Sequence, residues 1–221
     1  MSDNVIFNES VTDKILKIEL NNLSKKNALS LEMLTEMASK LSQNNYIKKF
    51  KCVVITGTKK SAFISEADLD DIRKLIASQK INFYHKKMNN LLKIITKLEL
   101  PVISVIRSHC YGAGFIIAMH SDIIIAAESS SFCIPASKLN IQIPKKQILH
   151  LLKKINKGFF KDIILTSRKF TASEAYSQNV INAYVKDDEL ESFTDNYFNQ
   201  IVNKEKKINT FYLNLLRNKK I

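Results

Sequence analysis

Two of the chain's four glycines fall in one short cluster, Gly112-Ala113-Gly114, inside the stretch Pro101–Ala127. Val102–Ile106 reads as a buried strand, the residues after the cluster as an apolar helix, and Ile123–Ala126 as a second buried strand. A strand that turns through small residues into a helix leaves backbone N–H groups facing open space at the positive helix end. That geometry suits an anion, or an oxygen that becomes one during a reaction. It equally suits a tight helix–strand packing turn. His109 and Tyr111 flank the cluster and are the side chains nearest to it with acid–base capacity. No His/Asp/Glu group has metal-ligand spacing, so no metal is expected, and no Ser–His–Asp set can be assembled from pattern.

The elements that must position this cluster read as alternating strands and helices. Val5–Phe7 and Ile15–Leu20 are strand candidates. Ser30 is a plausible N-cap, followed by Leu31, Leu34, Ala38 and Leu41 at helical spacing, with Asn44-Asn45 ending that helix. Cys52–Thr56 is continuously apolar, as in a strand covered on both faces. A helix is expected from Ala67, with Asp68, Asp70 and Asp71 near its positive end. A second spans Ile81–Leu98, and Pro101 stops it and opens the next strand. After Ser131–Cys133, a short strand, the pattern is mostly helical: Gln147–Lys154, Gly158–Thr166, Ala172–Ser177 and Glu189–Val202. His85 and His150 fall on amphipathic helices and read as packing or surface residues, and His120 on the apolar helix reads as a satisfied histidine. The economical reading is one α/β domain with a helical C-terminal part.

At 221 residues the chain fits a single domain with an adequate core. Cys52, Cys110 and Cys133 sit among apolar or small neighbours, as buried free thiols of a reducing compartment do, which makes the cytoplasm the default. No apolar run approaches the roughly 18 residues of a membrane span. The formal net charge of +13 raises acidic partners. The lysines are scattered, however, with no aromatic-interleaved basic patch, so nucleic acid is not the expected partner. A phosphate-bearing thioester carrier suits the charge equally well.

Five blocks in order resemble the enoyl-CoA hydratase/isomerase (crotonase) superfamily. Lys26-Asn27-Ala28-Leu29-Ser30 is similar to its RNAL block. Cys52–Gly57 with Ala62–Leu69 is similar to its VVLTG…FSAGADL block, and Pro101–Ile123 to its PVIAAVNG…GGG…CD block. Leu165–Ala175 and Val180–Val185 resemble LTGRxFSAEEA and its continuation. The resemblance implies a crotonase-like fold across residues 1–221, a spiral of repeated ββα units to about residue 165 and a shortened helical part from about 166. It also implies an acyl thioester whose carbonyl oxygen accepts two backbone N–H bonds, here from Ala67 and Ala113, which stabilise an enolate-like oxyanion. Lys26, Ala28, Ser65, Glu66, Asp68, Leu69 and Gly112 match positions that line the substrate and its coenzyme A moiety, and Lys25 or Lys26 could meet a phosphate. No separate cofactor is implied, since coenzyme A or phosphopantetheine enters as part of the substrate. A homotrimer or hexamer is implied by resemblance alone.

The chain departs from the family where a hydratase carries its two glutamates: these positions are Ile116 and Ala136. Standard hydration and isomerisation are therefore disfavoured, each acid–base role being worth about 10²–10⁴-fold. Glu66 stands where the family has glycine and puts a carboxylate beside one donor. Ser137 and Lys138 follow the lost second glutamate. Three functions stay open. One is enolate chemistry that needs no strong base, including decarboxylation of a malonyl-type thioester on coenzyme A or an acyl carrier protein. The second is hydratase or isomerase chemistry run by Glu66, Asp68, His109 or Tyr111, and the third is non-catalytic binding.

Overall fold

The computed structural model describes residues 4–10, 12–58 and 61–217. Its main sheet has six strands in the order β1-β2-β3-β4-β6-β9. These are β1 (Val5–Ser10), β2 (Ile15–Leu20), β3 (Cys52–Gly57), β4 (Val102–Ile106), β6 (Ile123–Ala127) and β9 (Ala183–Val185). β1 runs antiparallel to β2, and every later pairing in this sheet is parallel. A second sheet holds β5 (His109–Tyr111), β7 (Ser131–Cys133) and β8 (Phe170–Thr171).

The continuous apolar runs of β3, β4 and β6 serve two cores, because alternate side chains leave opposite faces of a strand. Val53, Ile55, Val102, Ile106, Ile124 and Ala126 enter the larger core. Cys52, Val54, Ile103, Val105, Ile125 and Ala127 enter the smaller one, closed by Leu190 and Phe198 of a late helix. The larger core is covered by α1 (Leu31–Leu41), α4 (Ile81–Lys97) and α5 (Ala113–His120), each with buried apolar positions. α5 is buried at every residue, which explains why its sequence shows no polar face.

Several boundaries differ from the expected ones for local reasons. α1 ends at Leu41 with Ser42 as its C-cap, the Ser42 hydroxyl donating to the Ala38 carbonyl (2.7 Å); Asn44–Ile47 is then a separate short helix, α2. α3 (Leu69–Ala77) starts after Ala67, because Asp68 is its N-cap and accepts from the Asp70 and Asp71 N–H groups. α6 (Lys145–Leu151) begins directly after Pro144, two residues before its expected start. Beyond it come α7 (Lys157–Thr166), α8 (Ala172–Ser177) and α9 (Leu190–Val202). α10 (Lys206–Arg217), a helix outside the expected set, follows, and Arg217 pairs with Asp122. Among the described residues no helix is long and apolar enough to cross a membrane. All three cysteines are buried and free.

Candidate active site

The loop between β3 and α3 meets the β5–α5 turn at close range. Ile64 pairs with Cys110 in an isolated parallel bridge, and the Tyr111 N–H donates to the Ile64 carbonyl (3.0 Å). A Cβ on Gly114 would lie 2.6 Å from Ile64 Cβ, so only glycine permits this approach. Gly112 turns the chain into α5 at φ +46°, and its N–H donates to the Cys133 carbonyl (2.9 Å). On the other side, the Leu29 N–H donates to the Glu66 carbonyl (2.8 Å) and the Asp68 N–H to that of Leu29 (3.0 Å). Asn27, fully buried at φ +57°, donates its side-chain amide to the Leu20 and Ala62 carbonyls (3.0 and 2.7 Å). The Tyr84 hydroxyl donates to the Leu29 carbonyl (3.0 Å). The backbone around residue 66 is therefore held on both sides.

These constraints aim two N–H groups at one point. The Ala67 N–H and the Ala113 N–H both donate to Glu66 Oε1, at 3.0 and 3.2 Å. One carboxylate oxygen thus accepts from both loops at a single point. Ala113 is the first residue of α5, so its N–H has no partner within the helix. Burial raises the Glu66 carboxyl pKa above its ordinary value, and the two N–H bonds offset part of that rise.

A cavity of about 590 Å³ opens from this point, with Glu66, Ala67, Gly112 and Ala113 on one wall and Ile116 and Ala136 facing the same space. Glu66 is the sole carboxylate among the described residues that line it, beside Tyr84, His85 and Lys145. Burial lowers the His85 pKa, which keeps that ring neutral. A larger cavity of about 730 Å³ lies beyond Lys145 and Gln147, lined by Lys93, Lys97 and Lys153 among others, and it reaches neither N–H donor. His120, which faces it, donates from Nδ1 to the Ile116 carbonyl (2.7 Å) and stacks on His150.

His109 and Tyr111 turn away from the 590 Å³ cavity. In β5 they share one face while Cys110 is buried on the other. Both reach Ser131 across the small sheet, His109 Nδ1 at 3.0 Å and the Tyr111 hydroxyl at 2.8 Å from its hydroxyl. Asp68 is buried and committed to capping α3 and to an ion pair with Lys25 (2.8 Å). Lys25 also pairs with Asp70 (2.7 Å), and its neighbour Lys26 is likewise exposed. Ala28 is half-buried, and Leu69 lines the cavity. The Ser65 hydroxyl donates to the Lys25 carbonyl (3.3 Å). Ser137 and Lys138 stand outside the cavity lining, the Ser137 hydroxyl donating to the Ile164 carbonyl and the Lys138 N–H to the Ser167 hydroxyl. Among the described residues no group of three or more His, Cys, Asp or Glu side chains could hold a metal.

Two loops thus offer paired N–H groups over a largely apolar cavity, on a mostly parallel sheet with a small second sheet. The sequence model described as enoyl-CoA hydratase/isomerase matches residues 10–219. The chain belongs to the enoyl-CoA hydratase/isomerase family. Among its family relatives, the Bacillus subtilis protein YngF, named for the same family, is 30% identical over 175 residues, 79% of this chain and 66% of its own length. Methylmalonyl-CoA decarboxylase of Escherichia coli is 28% identical over 183 residues, 82% of this chain and 69% of its own. The matched stretch thus spans about two-thirds of these curated relatives. The crystal structure of an enoyl-CoA hydratase/carnithine racemase from Magnetospirillum magneticum superposes with a TM-score of 0.92, over 99% of this chain and 81% of that one, at 22% identity. This family member therefore has the α/β crotonase-like fold.

A stability experiment reads the Glu66 seat directly. At low pH Glu66 is neutral whether the chain is folded or unfolded. As pH rises through its ordinary value of 4.5 the unfolded chain releases that proton first, because the folded pKa is the higher one. Stability contributed by the protonated group is therefore lost as pH rises to and through the folded pKa. Melting temperatures measured from pH 4 to 8 should show Glu66→Gln gaining on the parent protein across that window and holding a constant lead above it. A difference independent of pH would contradict the raised pKa.

Proposed function

We propose that this family member binds an acyl thioester of coenzyme A, or of carrier-protein phosphopantetheine, and stabilises its enolate at the Ala67 and Ala113 N–H groups. The observation that carries this reading is the single oxygen that both groups reach, at 3.0 and 3.2 Å, at the edge of the 590 Å³ cavity. Donors of this kind are typically worth about 3–4 kcal/mol each in the transition state. The exposed Lys26 side chain supplies a cation for a carrier phosphate.

Decarboxylation of a malonyl-type thioester fits the cavity best. The C–C bond to the carboxylate breaks, CO₂ leaves, and the bonding pair becomes the enolate whose oxygen the two N–H groups hold. A proton then adds to the α-carbon. No base is needed to form the enolate, in keeping with Ile116 and Ala136 where hydratases of this family carry carboxylates. The 28% identity to a methylmalonyl-CoA decarboxylase supports the same direction. A second reading, isomerisation or hydration with Glu66 as the acid–base group, is favoured by one observation: it is the carboxylate lining the cavity.

Incubation with malonyl-, methylmalonyl- and crotonyl-CoA separates these readings. Release of CO₂ from the first two without hydration of the third is the expected result. Hydration of crotonyl-CoA alone would favour the second reading. Binding of all three without turnover would leave a thioester-binding protein and reject both chemistries.

A further inference from the structure

Glu66 fills the position that the proposed function reserves for substrate. Its Oε1 takes both N–H bonds, and Gly112 leaves the space in which the carboxylate lies: a Cβ built on Gly112 would overlap it. We infer that Glu66 is an internal occupant of the oxyanion site, a side chain that every incoming thioester must displace. This inference rests on the thioester reading above and adds what governs entry to that site.

A carboxylate accepting from N–H makes charge-assisted bonds, roughly twice as strong as neutral ones. A thioester carbonyl is neutral in the ground state, so it competes poorly against an ionised Glu66. The exchange needs no loop movement. The Glu66 carbonyl is tied to the Leu29 N–H and the Asp68 N–H to the Leu29 carbonyl, so the side-chain torsions of Glu66 supply the motion. Displacement precedes chemistry and is the same for the ground and transition states, so it raises KM and leaves kcat unchanged. Protonation weakens the hold, since a neutral carboxyl is the poorer acceptor. The titratable groups around Glu66 are Tyr84 on α4, Cys133 on β7, and His85 and Lys145 across the cavity. No ion pair to Glu66 is present among the described residues.

The probe is acetyl-CoA, which can be neither hydrated nor decarboxylated, with dissociation constants read by titration calorimetry. Glu66→Ala should bind it roughly 10- to 100-fold more tightly than the parent protein, as expected for removing competition from charge-assisted bonds. Glu66→Gln should gain less, because its amide oxygen still reaches the two N–H groups. Glu66→Asp keeps the charge but is one methylene too short to reach both, and should bind like Glu66→Ala. Added sodium acetate should weaken acetyl-CoA binding to Glu66→Ala, by refilling the site, and leave the parent protein unchanged. Melting curves confirm folding of each variant.

Three results overturn the inference. The first is equal binding by Glu66→Ala and the parent protein. The second is Glu66→Asp matching the parent while Glu66→Gln matches Glu66→Ala, which would mean simple repulsion of the polyanionic coenzyme. The third is Glu66→Ala losing kcat in the turnover assay, which makes Glu66 a catalytic group. If no variant binds acetyl-CoA, the thioester reading itself fails and takes the inference with it.

Discussion

Ala113→Pro should lower kcat/KM for whichever thioester the protein turns over by about 10²–10³, the usual consequence of deleting one oxyanion donor. The helix position itself suits proline, although the ring Cδ takes the place of the N–H and must turn the Glu66 side chain aside. Ala113 is the first residue of α5, the position where proline's fixed φ and missing N–H suit a helix. The first bond of the helix turn runs from the Ile116 N–H to the Gly112 carbonyl (3.1 Å) and does not involve the Ala113 N–H. The residue before the new proline is Gly112, whose lack of a Cβ removes half of the usual clash. What is lost is the 3.2 Å bond now given to Glu66. Turnover and melting temperature measured together decide the matter. A large fall in kcat/KM with a nearly unchanged melting temperature supports the donor role, and full activity in the proline variant rejects it.

The strands of the main sheet were legible because burial on both faces leaves an unmistakable apolar run. Cys52–Gly57, Val102–Ile106 and Ile123–Ala127 each feed two cores, and their shortness and β-branched content distinguish them from a buried helix. The short strands His109–Tyr111, Phe170–Thr171 and Ala183–Val185 carry too few residues to show a period and exist through their partners. Helix Lys206–Arg217 did carry a signal, with Ile208, Phe211, Tyr212 and Leu215 at helical spacing, although these side chains are exposed. At the site, the small residues at 112–114 pointed to free backbone N–H groups, whereas Ala67 was named through the family resemblance alone. His109 and Tyr111 flank the cluster in the sequence, but strand alternation puts residues 109 and 111 on the face that meets Ser131. Asp68 likewise looked available to a ligand, whereas its carboxylate is used by the α3 N-terminus and Lys25. That Glu66 puts a carboxylate beside the Ala67 donor was legible, whereas its reach to the Ala113 donor was not. It depends on side-chain torsions and on a space created by Gly112, 46 positions further along the chain (112 − 66).

That space makes Gly112→Ala the substitution with the most divided outcome. Gly112 adopts φ +46° and ψ −111°, a combination that L side chains rarely adopt, so alanine there costs about 1–3 kcal/mol in backbone strain alone. Its methyl would also overlap the Glu66 carboxylate and drive it off the two N–H groups. Combining Gly112→Ala with Glu66→Ala removes the overlap but keeps the strain. The double variant should therefore be more stable than the sum of the two single effects, by roughly 0.5–3 kcal/mol for residues in contact. Denaturant unfolding of the four proteins measures that coupling. Function should not recover with stability, because the same methyl occupies the point where any oxygen would accept from Ala67 and Ala113. Acetyl-CoA binding is expected to be tight in Glu66→Ala and absent in both proteins that carry Gly112→Ala. Tight binding by the double variant would mean that the thioester oxygen sits somewhere other than the point Glu66 Oε1 now marks.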